Sequence, residues 1–149
     1  AHADSSTSTM NVSVSVEHSC SIEANPMEFG AYNGVVENVS TALEATATVE
    51  TTCTSGAGAL VTINAGASAG SGSAGAPLRR MTAGEGHYLV YQVYSDVARG
   101  SIWGNTAPTG VALTGTGGPQ TLTAYGSVPA AQPAASGVYS DQLGVTITY

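Results

Sequence analysis

The chain has 149 residues, 42% of them apolar, and a formal net charge of -7, enough for one domain with a substantial core. Only 9% of residues are charged, and all three cations are arginines, against roughly 25% charged residues in a typical soluble domain. That composition excludes a nucleic-acid binder, which needs Lys and Arg to neutralise phosphates, and a basic amphipathic membrane helix; no apolar run approaches the roughly 20 residues of a membrane span.

In chain order, residues 1–9 are small and polar and are expected to be mobile. Met10, Val12, Val14 and Val16 then alternate with Asn11, Ser13, Ser15 and Glu17. Period 2 over eight residues predicts a half-buried strand. Cys20 to Ile22 is expected to continue it. Asn25-Pro26 reads as a turn and Met27 to Gly30 as a short strand piece. The helical candidate, Val39 to Glu44, is short and lacks proper caps. Thr46 to Cys53 and Leu60 to Asn64 read as strands.

Gly66 to Pro77 is a Gly, Ala and Ser loop, followed by Arg79-Arg80-Met81. Tyr88 to Tyr94 is apolar on both faces, which predicts a central strand of a packed sheet. Ile102 to Gly104 is a short strand, Gln120 to Val128 a longer one, and Pro129 to Ser136 a loop. The chain ends in a second alternation of Leu143, Val145, Ile147 and Tyr149. About seven strands with Gly and Pro between them predict an all-β sandwich.

Two cysteines, Cys20 and Cys53, without a CxxC or a Cys/His cluster, point to one disulfide and an oxidising compartment rather than a metal site. The alternative is two separate buried thiols. A bridge across this spacing stabilises the fold by about 4 kcal/mol in the chain-entropy model. The start, Ala1-His2-Ala3-Asp4, shows no apolar signal-peptide region, so the chain is expected to be an exported protein already processed.

Several short motifs invite a chemical reading and lack its context. Gly66-Ala67-Ser68-Ala69-Gly70 matches GxSxG but lies in a low-complexity tract with no helix after it. Gly70 to Gly75 matches GxGxxG without a βαβ unit. His2, His18 and His87 are far apart. Asp96 and Asp141, near Tyr94 and Tyr139, fit turn caps better than a paired-carboxylate site. Asn11 and Asn38 begin N-x-S sequons, and Tyr88, Tyr91 and Tyr94 do not share one strand face as a sugar platform needs. The expectation is no enzyme, no cofactor, no metal and no small-molecule substrate.

The two alternating strands carry the functional reading. If the C-terminal one is the sixth strand of an immunoglobulin-like sandwich, the closing strand is missing and an edge and a groove stay open. An open edge is an aggregation hazard unless another segment covers it. The N-terminal strand of a neighbouring molecule is a fitting cover, through β-strand addition. Burying Met10, Val12, Val14 and Val16 there is worth roughly 1.5–3 kcal/mol each as an upper bound. A head-to-tail contact of this kind builds a filament.

The chain resembles the spore-coat protein U-like pilins of archaic chaperone–usher pili. The resemblance rests on the alternating strand ahead of Cys20, on Phe29-Gly30 with Tyr32-Asn33, and on the partner Cys53. It continues in Tyr88 to Asp96, in Ile102-Trp103-Gly104 and in the ending Gly137 to Tyr149, and it covers nearly the whole chain. The loops depart from the pattern in being unusually rich in Gly and Ala. The resemblance implies an incomplete immunoglobulin-like sandwich lacking its last strand, with residues 1–17 as an extension carrying the donor strand and residues 18–149 as the pilin domain. It implies a donor strand of Met10, Val12, Val14 and Val16, and an acceptor groove edge of Leu143, Val145, Ile147 and Tyr149. The partners implied are identical subunits, a periplasmic chaperone and an outer-membrane usher, and the place an extracellular pilus shaft serving attachment and biofilm formation. An autonomous secreted adhesive or glycan-binding sandwich, and a laterally assembling coat protein, are the alternatives.

Overall fold

The structure, a computed structural model, describes residues 3–149. Its strands are β1 (Cys20–Ala24), β2 (Leu43–Cys53), β3 (Gly58–Ile63), β4 (Arg79–Gly84), β5 (His87–Tyr94), β6 (Val111–Thr114), β7 (Pro119–Val128) and β8 (Val145–Thr148). A single 3-10 turn, Ala107–Thr109, is the only helical element among the described residues, and no helix there is long and apolar enough to cross a membrane. The strands form a five-stranded sheet in the order β1-β2-β7-β5-β4 and a three-stranded sheet in the order β6-β3-β8. Every pairing between them is antiparallel.

The alternation of apolar residues sets which face turns inward. Leu89, Tyr91 and Val93 of β5, Val49 of β2, and Ala124 and Val128 of β7 meet Val61 and Ile63 of β3 in one buried cluster. Trp103 sits within it, fully buried, and its indole N–H donates to the Val61 carbonyl at 2.9 Å. As expected, β5 is an interior strand and the Cys20–Cys53 disulfide is formed. The bridge ties β1 to β2 at a register pair of the ladder and packs with Ala57 and Ala59 in a second small cluster that also touches Ile147.

The two sheets are joined by a buried cation. Arg79 of β4 is fully buried. Its guanidinium donates to the carbonyls of Ile63, Asn64 and Trp103 and to the side-chain oxygen of Gln92 at 2.7–3.1 Å. Burial pushes its pKa below the ordinary arginine value, with nearby Tyr91 and Asp141 opposing. The charge is held by backbone dipoles, which satisfy a buried donor without a paired acid.

Several expectations are corrected. β2 starts at Leu43, three residues before the expected Thr46. Met27 to Gly30 is not a strand, although Met27 and Phe29 pack on the core. They lie over β7 at Gly126, where a Cβ would collide with the Met27 sulfur and stand 2.7 Å from Phe29 Cζ. Ile102 to Gly104 forms only an isolated bridge, between Ile102 and Tyr94. β4 and β6 were not expected at all. The N-terminal alternation forms no strand within its own chain: Met10, Val12, Val14 and Val16 are 80–88% exposed.

Candidate functional site

A groove of about 1380 Å³ opens along one side of the sandwich. Its floor is core: Val49, Leu89, Tyr91, Val93, Ala124 and Val128. One wall is the chain leaving β1, from Ala24 to Val35; the other is the segment from Gln132 to Leu143, with Val145 of β8. Among the described residues β8 pairs with β3 alone, so its other edge keeps unpaired backbone donors and acceptors there. A groove with an apolar floor and a free strand edge at its rim has the two features that receive an added strand: side-chain pockets and ladder hydrogen bonds.

Hydrogen bonds from irregular segments hold both walls. The Tyr32 hydroxyl donates to the Pro129 carbonyl at 2.6 Å and accepts the Gln132 N–H at 3.0 Å, which fixes one wall against the start of the other. The Gln132 side-chain amide accepts from the Val90 N–H and donates to the Val90 carbonyl, both at 2.8 Å, standing in for a strand neighbour. Further along, Thr82 and Ser140 exchange two backbone bonds, so the second wall is stitched to β4. Asp141 accepts the Tyr91 hydroxyl at 2.6 Å and the Ala67 N–H at 2.9 Å. Burial and that bond to Asp141 push the Tyr91 pKa far up, so the phenol is a fixed neutral donor at the groove floor. Phe29 stands edge-on to Tyr91 with ring centres 6.3 Å apart.

Of the residues named from sequence for the groove edge, Leu143 and Val145 line the groove. Ile147 points into the core and toward the disulfide cluster, and Tyr149, 58% exposed, follows the end of β8. The groove walls carry no repeating pattern: Tyr32, Tyr91 and Asp141 lie inside the blocks that carry the family resemblance without their contacts being readable there, and Gln132 gave no sequence signal.

The other motifs resolve into scaffolding. Ser68 and Ala69 of the GxSxG match give their carbonyls to Arg80, whose guanidinium lies 3.9 Å from the centre of the Tyr88 ring. Asp96 caps its own turn, accepting from Gly100 and Ser101, and those bonds hold its carboxyl below the usual range. Asn38 of the second sequon is buried, and its side chain bonds Asn33 and Thr41. His18 and His87 belong to no group of three or more His, Cys, Asp or Glu among the described residues, and His2 lies outside them. Arg99 pairs with Glu44 at 2.6 Å and donates to the carbonyls of Gly126 and Ala45.

Comparison with known proteins gives a consistent result. The Spore Coat Protein U domain family matches residues 6–146. Protein U of Myxococcus xanthus is 37% identical over 157 aligned residues, covering 100% of this chain and 88% of that protein. Among solved structures, a chain in the CsuC–CsuE chaperone–tip adhesion subunit pre-assembly complex, from archaic chaperone-usher Csu pili of Acinetobacter baumannii, superimposes with a TM-score of 0.63 at 17% identity. The match covers 90% of this chain and 40% of that one, so this chain spans less than half the length of that neighbour. At that identity the likeness establishes the fold alone, an immunoglobulin-like sandwich.

Proposed function

The chain belongs to the Spore Coat Protein U domain family, and from that premise we propose that it is a structural subunit of a chaperone–usher pilus. Subunits join head to tail. The N-terminal segment of one copy, carrying Met10, Val12, Val14 and Val16, fills the groove of the next and adds a strand to the free edge of β8. Leu143 and Val145 form the acceptor rim. Residues 1–17 are the donor extension and residues 18–149 the acceptor domain. A periplasmic chaperone covers the groove before assembly, an outer-membrane usher is where strands are exchanged, and the product is a surface filament supporting attachment and biofilm formation.

One observation carries the reading. The same chain holds an open apolar groove of about 1380 Å³ and, outside it, an apolar alternating segment whose four large side chains are 80–88% exposed. Each half explains the other, because isolated exposure of either is an aggregation liability. A chain with both halves can repeat without limit, which favours the shaft. The likeness to a subunit from a chaperone complex supports the chaperone as partner.

The test is negative-stain microscopy of the purified protein beside a form lacking residues 1–17. Thin fibres from the full chain and none from the truncated form are expected, with the truncated form still able to cap fibre ends. Long fibres from the truncated form contradict the reading. The family's name favours a second reading, a coat protein that assembles laterally; it expects sheets in the same images.

A further inference from the structure

The exposed N-terminal segment faces two grooves of equal chemistry, its own and a neighbour's, and something must decide between them. We infer that Thr54 is the positioning residue that directs the segment away from its own groove and so makes docking intermolecular. The inference rests on the docking reading above.

The geometry is local. β1 begins at Cys20, whose register partner is Cys53. One residue beyond, the Thr54 N–H donates to the Ser19 carbonyl at 2.9 Å, extending the ladder past the disulfide. The Thr54 hydroxyl accepts the Ser19 N–H at 3.0 Å. Its own proton is shared between the carbonyls of Glu17 and Ser19 at 3.3 and 3.2 Å. Thr54 is itself fixed. Its carbonyl accepts the Ala57 N–H at 3.0 Å, and Gly115 packs so closely that a Cβ there would collide with the Thr54 carbonyl oxygen and come within 2.8 Å of Cys53 Cβ.

The direction follows. The groove begins at Ala24, the far end of the five-residue β1. Glu17 to Ser19 continue the line of β1 the opposite way. To reach its own groove the segment must reverse and run back along β1, about 17 Å at strand rise. Three residues, Glu17, His18 and Ser19, separate Val16 from Cys20. A hairpin needs at least two residues free to turn, and the clamp holds the backbone of the first and last of the three. With Thr54 engaged, no reversal fits between Val16 and Cys20, and the donor segment leaves the subunit pointing away from the Ala24 side of its groove, the polarity a head-to-tail filament requires.

The experiment compares the full-length chain with Thr54→Val, Thr54→Ser and an insertion of Gly-Ser-Gly between Val16 and Glu17. The first removes the hydroxyl, the second keeps it, and the third leaves the clamp intact but adds slack beyond it. Each is diluted from denaturant; monomer and polymer are separated by size, and elastase reports whether residues 10–16 of the monomer are protected. Thr54→Val is expected to polymerise roughly three- to tenfold more slowly, the scale of one net hydrogen bond, while accumulating monomer with a protected N-terminal segment. The insertion gives the same protected monomer, and Thr54→Ser behaves as the wild type. Wild-type polymers with unchanged behaviour of Thr54→Val and of the insertion overturn the clamp alone. A wild-type chain that stays monomeric with residues 10–16 open to elastase overturns the docking reading as well.

Discussion

Val14→Asp separates assembly from folding, because its two effects are predicted from different parts of the molecule. In the free subunit Val14 is 88% exposed. A substitution there is expected to change domain stability by no more than about 0.5 kcal/mol. On the proposed docking the same side chain would exchange water for the apolar floor formed by Tyr91, Val93 and their neighbours. Truncation to Ala removes two carbon groups, about 1.6 kcal/mol or roughly fifteenfold in the docking equilibrium. Aspartate forfeits that and also carries a charge into a groove with no Arg, Lys or His among its described lining residues; the added cost is several kcal/mol. The expected series is therefore wild-type fibres, slow and sparse fibres from Val14→Ala, and none from Val14→Asp, with superimposable thermal unfolding of the three free subunits. Light scattering during assembly and calorimetry of the monomers measure the two effects. Fibres from Val14→Asp at the wild-type rate refute the docking argument, and a melting shift of many degrees in the monomer refutes the claim that the segment lies free.

Replacing both Cys20 and Cys53 with Ser is expected to cost about 4 kcal/mol in denaturant unfolding, because the bridge closes a separation of 33 residues. Arg79→Lys should destabilise by about 2–4 kcal/mol, since one ammonium replaces a fork that reaches Gln92 and the carbonyls of Ile63, Asn64 and Trp103; equilibrium unfolding reads it, and a loss below about 0.5 kcal/mol contradicts the keystone role. The raised Tyr91 pKa stabilises the fold fully below the unfolded tyrosine value near 10 and progressively less as pH rises above it. Melts from pH 8 to 11 should fall more steeply in the wild type than in Tyr91→Phe. Trypsin should cut the native subunit only through opening of the fold, its three arginines all being bonded within it, whereas elastase should clip residues 10–16 of the free subunit and spare them in the fibre.

The sequence exposes the elements whose burial alternates and hides those whose burial is bought by other means. β7 and β8 follow their patterns because one residue in two meets the core, whereas β5 reads as a run apolar on both faces, of which Leu89, Tyr91 and Val93 are the buried set. β4 reads as polar, Arg79-Arg80-Met81-Thr82, because the buried position is a guanidinium satisfied by carbonyls of another sheet, which no local pattern signals. β6 has four residues, too few to show a period. Leu43 and Glu44 end a stretch too short to show a period and enter β2 through pairing with β7 at Val128 and Ser127. Met27 and Phe29 look like strand residues yet serve as packing over Gly126. For the candidate site, Leu143 and Val145 of the groove rim were legible from periodicity, and the alternation of Met10 to Val16 stands exposed as the proposed donor. The course of the walls was not legible, although Tyr32 and Asp141 lie in the blocks that carry the resemblance, because the walls are irregular chain held by Tyr32, Gln132 and Asp141 across separations of 42–100 residues.

The central claim is that the groove of each subunit is filled by another subunit's N-terminal segment. Cryo-electron microscopy of the assembled fibre tests it directly. The predicted map shows residues 10–16 of one copy as a strand beside β8 of the next, with Val12 and Val14 seated toward Tyr91 and Val93. A map in which the groove holds its own chain's segment, or in which subunits meet elsewhere and residues 10–16 lie outside every groove, contradicts the account.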